Sequence, residues 1–162
     1  MKRAVVALCA ALALGAARAP DSGRAPDTNY QLHCSGCHRL DGSGLPGEVP
    51  DLRGQVARFL AVPGGRAYLV RVPGAANAPL SDADLAALLG WLLVRFDPEH
   101  VPAGFAPYTA AELAALRAQP LSQVKNARAE LLAALNGSPP AALPPPGSPR
   151  PDAAGAPARR SP

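Results

Sequence analysis

The sequence lacks long apolar runs beyond its first residues, and it has neither alternating strand patterns nor internal repeats. It contains one methionine and three cysteines in 162 residues. Without a second long apolar run, the rest of the chain has no candidate membrane helix. Because every periodic segment has helical spacing, we predict an all-α fold.

The N-terminus is typical of a secretory signal peptide, which we predict over residues 1–19. Lys2 and Arg3 precede the apolar run AVVALCAALALG, and small residues follow it. Leader removal takes three of the sixteen basic residues, so thirteen bases balance twelve acids in the mature chain. We therefore expect an exported, periplasmic protein that does not span the membrane after leader removal and does not bind nucleic acid.

The clearest helix begins after Ser81, a predicted N-cap with an acidic residue three positions later, and runs to Phe96. Asp27 is predicted to cap an earlier helix, and Thr109 to begin a later one with Glu112 in a capping box. The remaining predicted helices cover residues 28–37, 55–62, 66–72, 109–119 and 122–136.

These helices suggest a division of the chain into regions. Residues 26–97 are predicted to form one helical domain, and residues 98–137 a helical extension of it. Residues 138–162 are rich in proline and alanine, and we predict a disordered tail because such a segment buries little apolar area.

Cys34, Cys37 and His38 form a C-x-x-C-H motif within QLHCSGCHRLDG. A structural zinc site requires four ligands, and the chain offers no second C-x-x-C or paired histidines. A thioredoxin-like pair requires a preceding strand, which the pattern lacks. A small disulfide with an incidental histidine is a further alternative. The motif is the attachment signature of c-type haem, and this interpretation also agrees with export.

The segment 27–96 resembles a class I c-type cytochrome domain, because VPDLRG is similar to the G-P-x-L-x-G stretch that follows the haem motif in that family. The resemblance implies one covalent haem c, with His38 as proximal ligand of the iron. It also implies that the Pro50 carbonyl accepts the Nδ1 proton of His38 and that Leu52 packs on the haem. Tyr30 matches an aromatic residue that packs against the last helix of the domain.

The sixth iron position departs from this resemblance. A typical member supplies a methionine from the loop before the last helix, but VRVPGAANAPLSD has none, and the single methionine is Met1. Asn77 in this loop and His100 beyond the helix are the predicted substitutes, and an open, five-coordinate iron is a further alternative. Tyr68 and Arg71 are expected to line the pocket without binding the iron.

The function that this resemblance implies is electron transfer by a periplasmic c-type cytochrome that is not an enzyme. Its partner would be a redox protein such as a dehydrogenase, an oxidase or another cytochrome. One alternative is a haem protein that binds a small ligand, as a gas sensor or peroxidase-like protein. Another is a haem subunit of a dehydrogenase complex, with the extension as its interface.

Overall fold

The computed structural model describes residues 22–137, so the predicted signal peptide and the predicted tail lie outside the described residues. Within 22–137 the fold is all-α, as predicted, and its one β-type feature is an isolated bridge between Leu45 and Val49. No helix in this part of the chain is long and apolar enough to cross a membrane. The α-helices are α1 (Pro26–His33), α2 (Ser35–His38), α3 (Gly65–Arg71), α4 (Pro73–Ala76), α5 (Asp82–Phe96), α6 (Ala110–Arg117) and α7 (Val124–Leu135), and the 3-10 helices are Ala57–Ala61 and Pro98–His100.

The first predicted helix is divided in two at Cys34. This residue has φ −124° and ψ −36°, which ends α1 and begins α2. The prediction that Asp27 caps α1 was wrong, because Ala25 occupies the cap position and Pro26 begins the helix. Proline suits this position, since the first helical N–H has no partner within the helix.

The two other predicted caps are confirmed. The Ser81 side chain accepts a hydrogen bond from the Asp84 N–H at 3.0 Å, and Thr109 accepts one from Glu112 at 3.1 Å. The segment 73–76, predicted as a loop, instead forms the single-turn helix α4 with Pro73 in its first turn.

An aromatic cluster joins α1 to α5. The Tyr30 ring lies 5.6 Å from that of Trp91 and 5.1 Å from that of Phe96. Its hydroxyl donates a hydrogen bond to the Arg39 carbonyl at 2.7 Å, just after the cysteine motif. Tyr30 therefore fixes the motif relative to the longest helix of the fold.

The C-terminal extension packs directly on the rest of the helices. Helix α6 contacts α3 and α5, and α7 contacts α3 and the 3-10 helix Ala57–Ala61. Leu113 of α6 is completely buried in the core. The Arg66 guanidinium binds both carboxylate oxygens of Glu112, at 2.6 and 2.8 Å, and its CZ atom lies 4.0 Å from the Tyr108 ring centroid.

Candidate functional site

A cavity of about 330 Å³ lies at the centre of the fold, which is the volume range of small-molecule and cofactor sites. The motif of Cys34, Cys37 and His38 lines it, together with residues from the segment 50–52, α3, α4, α5 and α7. Most of the lining side chains are aliphatic or aromatic. The cavity therefore suits a large apolar group that is attached at the motif.

The motif residues converge on one side of this cavity. The thiols of Cys34 and Cys37 are both free, the first half-buried and the second exposed. The His38 Nδ1 atom lies 3.1 Å from the Pro50 carbonyl oxygen, the contact that the resemblance implies. When Nδ1 donates to this carbonyl, Nε2 is the ring nitrogen left for a metal. Leu52 is buried and also lines the cavity.

Gly44 explains how the chain brings the Pro50 carbonyl back to the motif. Its φ is +65°, and a Cβ atom there would come within 2.6 Å of the Pro50 carbonyl oxygen. The Gly44 N–H also donates to the His38 carbonyl at 3.1 Å. Only glycine meets both the left-handed conformation and the close approach of the two backbone segments.

Burial sets the protonation of the motif. It lowers the pKa of His38, and the hydrogen bond to the Pro50 carbonyl partly opposes this shift. Burial also raises the pKa of the Cys34 thiol, with a smaller contribution from Cys37. A neutral imidazole is the form that binds metal ions.

The structure does not bring the two predicted distal residues to the cavity. Asn77 is exposed and is not among the lining residues. His100 is also exposed, and its Nδ1 atom lies 2.5 Å from the buried Asp97 carboxylate. Of the two residues expected to line the pocket, Tyr68 does so, whereas Arg71 donates to the Gln119 carbonyl at 2.7 Å.

Comparison with known proteins assigns the family. No protein-family model matches the sequence. The chain is 36% identical over 107 residues to cytochrome c-552 of Thermus thermophilus, a match that covers 55% of this chain and 82% of the relative. A second cytochrome c-552, from a specified strain of the same species, has the same identity over the same length, with 72% of the relative covered. The chain belongs to the c-type cytochromes.

The cofactor of this c-type cytochrome is thus a covalently bound haem c with its iron, and its role is electron transfer. The cavity fits such a group on three counts. Two free thiols lie beside a histidine whose Nδ1 atom is already held, the lining is mostly apolar, and one cationic side chain, Arg128, reaches the lining.

Sequence reasoning missed the residues that the extension contributes to this cytochrome's cavity. Tyr108, Val124 and Arg128 all line it. The apolar face of α7 was the available signal, because Val124, Ala127 and Leu131 at helical spacing pack against the core. That periodicity predicts burial but does not identify which part of the core is covered.

Proposed function

We propose that this chain is a class I monohaem cytochrome c that is exported to the periplasm and carries one electron between protein partners. The observation that carries the proposal is the convergence of both thiols and His38 on a single apolar cavity, with Nδ1 of His38 on the Pro50 carbonyl. The similarity to cytochrome c-552 supports the same assignment.

In this proposal Cys34 and Cys37 attach the haem through thioether bonds, and His38 binds the iron through Nε2. The bound haem supplies the reversible one-electron change between Fe(III) and Fe(II). The Pro50 carbonyl orients the imidazole and increases its basicity as a ligand. Leu52 and the leucines of α5 keep water from the iron, because the cavity that they line is mostly apolar.

Arg128 is the residue that we assign to a haem propionate. Among the described residues that line the cavity it is the sole arginine, and no lysine accompanies it. Its CZ atom lies 5.4 Å from the Phe59 ring centroid, and it forms no ion pair with a carboxylate in residues 22–137. A half-buried guanidinium without a protein carboxylate is suited to the carboxylate of a bound cofactor.

The surface beside the motif supports transient docking of a redox partner. Cys37 is exposed, so electrons can enter and leave at this side of the cavity. Leu32, Leu40 and Leu45, which flank the motif in sequence, expose 60%, 69% and 39% of their surfaces. A small apolar contact patch suits weak and short-lived electron-transfer complexes. The partner would be a dehydrogenase, an oxidase or another cytochrome.

The first experiment tests haem attachment and export together. The full chain is produced in a bacterial host that matures c-type cytochromes, and the periplasmic fraction is stained for haem on a denaturing gel. We expect covalent haem on a mature periplasmic chain, and a potentiometric titration that follows a single one-electron wave. A chain without covalent haem would contradict the proposal.

A matched pair of histidine variants tests the proximal assignment. His38→Asn should change the absorption spectrum and weaken haem retention, because it removes the proposed iron ligand. His100→Asn should leave the spectrum unchanged, because His100 lies outside the cavity lining. Equal spectral changes in the two variants would refute the assignment of His38.

A further inference from the structure

The side chains that line the cavity include few atoms able to fill the sixth iron position. Residues 22–137 contain no methionine, and their single lysine, Lys125, does not line the cavity. The only histidines that line it are His33 and His38. His33 directly precedes Cys34, so it lies on the same side as the attachment motif.

The wall formed by α4 and its flanking residues has small, non-ligating side chains. Its lining residues are Val72, Pro73, Gly74, Ala75 and Ala78. None of these side chains carries a nitrogen, sulfur or oxygen atom that can bind a metal. Their small size leaves space beside the cofactor for a small molecule.

Asn77 is held away from this space by its neighbours. The carbonyls of Ala76 and Ala78 each accept a hydrogen bond from the Arg117 guanidinium, at 2.9 and 2.6 Å. These contacts fix the backbone on both sides of Asn77, whose side chain is exposed. Presenting its amide to the cavity requires at least one of these bonds to break.

Tyr68 is the uncommitted polar group of the cavity. It is 8% exposed, its ring packs 5.1 Å from that of Phe59, and it lines the cavity. Its hydroxyl has no hydrogen-bond partner anywhere in residues 22–137. By contrast, the hydroxyl of Tyr108, another cavity residue, donates to the Arg66 carbonyl at 3.1 Å. Buried tyrosine hydroxyls normally have a partner, so that of Tyr68 is available to whatever occupies the cavity.

We propose that this cytochrome binds a small neutral diatomic molecule, of the class of CO and NO, at the sixth iron position, and that the Tyr68 hydroxyl donates a hydrogen bond to it. The inference rests on the proposed function, since it requires the haem in the cavity. It assigns the short wall at 72–78 to a ligand pocket rather than to a side-chain ligand.

The surroundings of Tyr68 favour a neutral ligand over an anion. The adjoining wall is aliphatic, and a charged ligand there would lose its hydration without a dedicated partner. Burial raises the pKa of Tyr68, so its hydroxyl stays protonated and acts as a donor at neutral pH. Arg128, the nearby cation, has the Phe59 ring and the proposed propionate as its partners.

The test uses haem-loaded protein and CO as the probe, with Tyr68→Phe compared with Tyr108→Phe. We expect the reduced wild type to bind CO, with a shift of its absorption bands. Tyr68→Phe should raise the C–O stretching frequency and speed CO dissociation about fivefold, the effect of one hydrogen bond. Tyr108→Phe should change neither, because that hydroxyl is committed to Arg66. In wild type, the stretching frequency should also shift in D2O, which reports the same hydrogen bond without any substitution.

Three results would overturn the inference. Covalently haem-loaded protein with a low-spin reduced spectrum that ignores CO would mean that a side chain fills the sixth position. Cyanide or nitrite binding without CO binding would overturn the choice of a neutral ligand. Equal changes in the two tyrosine variants, or no D2O shift, would remove the role of Tyr68. In all three cases covalent haem is present, whereas its absence contradicts the proposed function itself.

Discussion

The side chain of Arg117 should contribute more to stability than any other surface-proximal arginine in the described part of the chain. From α6 it donates to the carbonyls of Ala76, Leu80 and Ala78 at 2.9, 2.9 and 2.6 Å, and to the Asp82 carboxylate at 2.9 Å. The side chains of Arg117 and Asp82 are 17% and 10% exposed. One guanidinium thus holds the whole connection between α4 and α5.

The size of this contribution follows from what substitution leaves behind. Arg117→Met keeps most of the apolar stem but leaves three carbonyls and a mostly buried carboxylate without this donor. Breaking a buried charged pair costs about 3–5 kcal/mol, and the remaining exposure places the expected loss near about 3 kcal/mol. Arg117→Lys should lose about 2 kcal/mol, because an ammonium cannot reproduce the planar fork of donors.

Urea unfolding of the haem-loaded protein measures this loss, and Arg71→Met provides the control. Arg71 also links α3 to the extension, but through one exposed hydrogen bond to the Gln119 carbonyl. Its variant should lose less than about 1 kcal/mol. Hydrogen exchange should also become faster at residues 76–82 in Arg117→Met only. If the two methionine variants lose equal stability, the assignment of Arg117 as the anchor of this connection is wrong.

Three other substitutions test separate features of the fold. Arg39 has φ 59° and ψ 168°, so Arg39→Gly should stabilise the protein by about 1 kcal/mol in urea unfolding; a loss of stability would contradict backbone strain there. The bond to Arg66 lowers the pKa of Glu112 below its ordinary value of 4.5, so the pair stabilises the fold above that pH and this contribution disappears as the pH falls through the lowered pKa. Glu112→Gln should therefore cost about 1 kcal/mol at pH 7 and progressively less in acid, and a cost independent of pH would refute the electrostatic origin. Asp97 is buried and accepts the Ala57 N–H at 2.8 Å, so Asp97→Asn should lower the unfolding free energy by about 2 kcal/mol, and a neutral effect would contradict this role.

The sequence was most informative where one residue type has one use. The C-x-x-C-H motif and the proline at position 50 predicted an arrangement around His38 that the geometry of the cavity matches. The capping residues Ser81 and Thr109 begin their helices as predicted, because a side-chain acceptor and an acid three residues later leave few other local solutions.

The contributions of the extension could not be predicted because they depend on contacts between distant segments. Arg117 looks like an ordinary exposed residue of an amphipathic helix, and its partners lie 35 to 41 positions earlier in the chain. Tyr108 and Arg128 likewise reach the cavity only after α6 and α7 have packed on α3 and the 3-10 helix. Periodicity predicts which helix face is buried, but not what it covers.

The connection between α4 and α5 joins the questions of electron transfer and ligand binding. Only residues 77–80 separate the end of α4 from Ser81, the N-cap of α5, and Arg117 holds the backbone along this stretch. A connection of that length, fixed at its carbonyls, is too short to carry a side chain across the cavity to the iron. Without a thioether ligand the potential should be lower than in methionine-ligated relatives, since that ligand raises it. An electron carrier built this way pairs a low potential with a protected space beside its iron, and Tyr68 is the group there that has a proton to share.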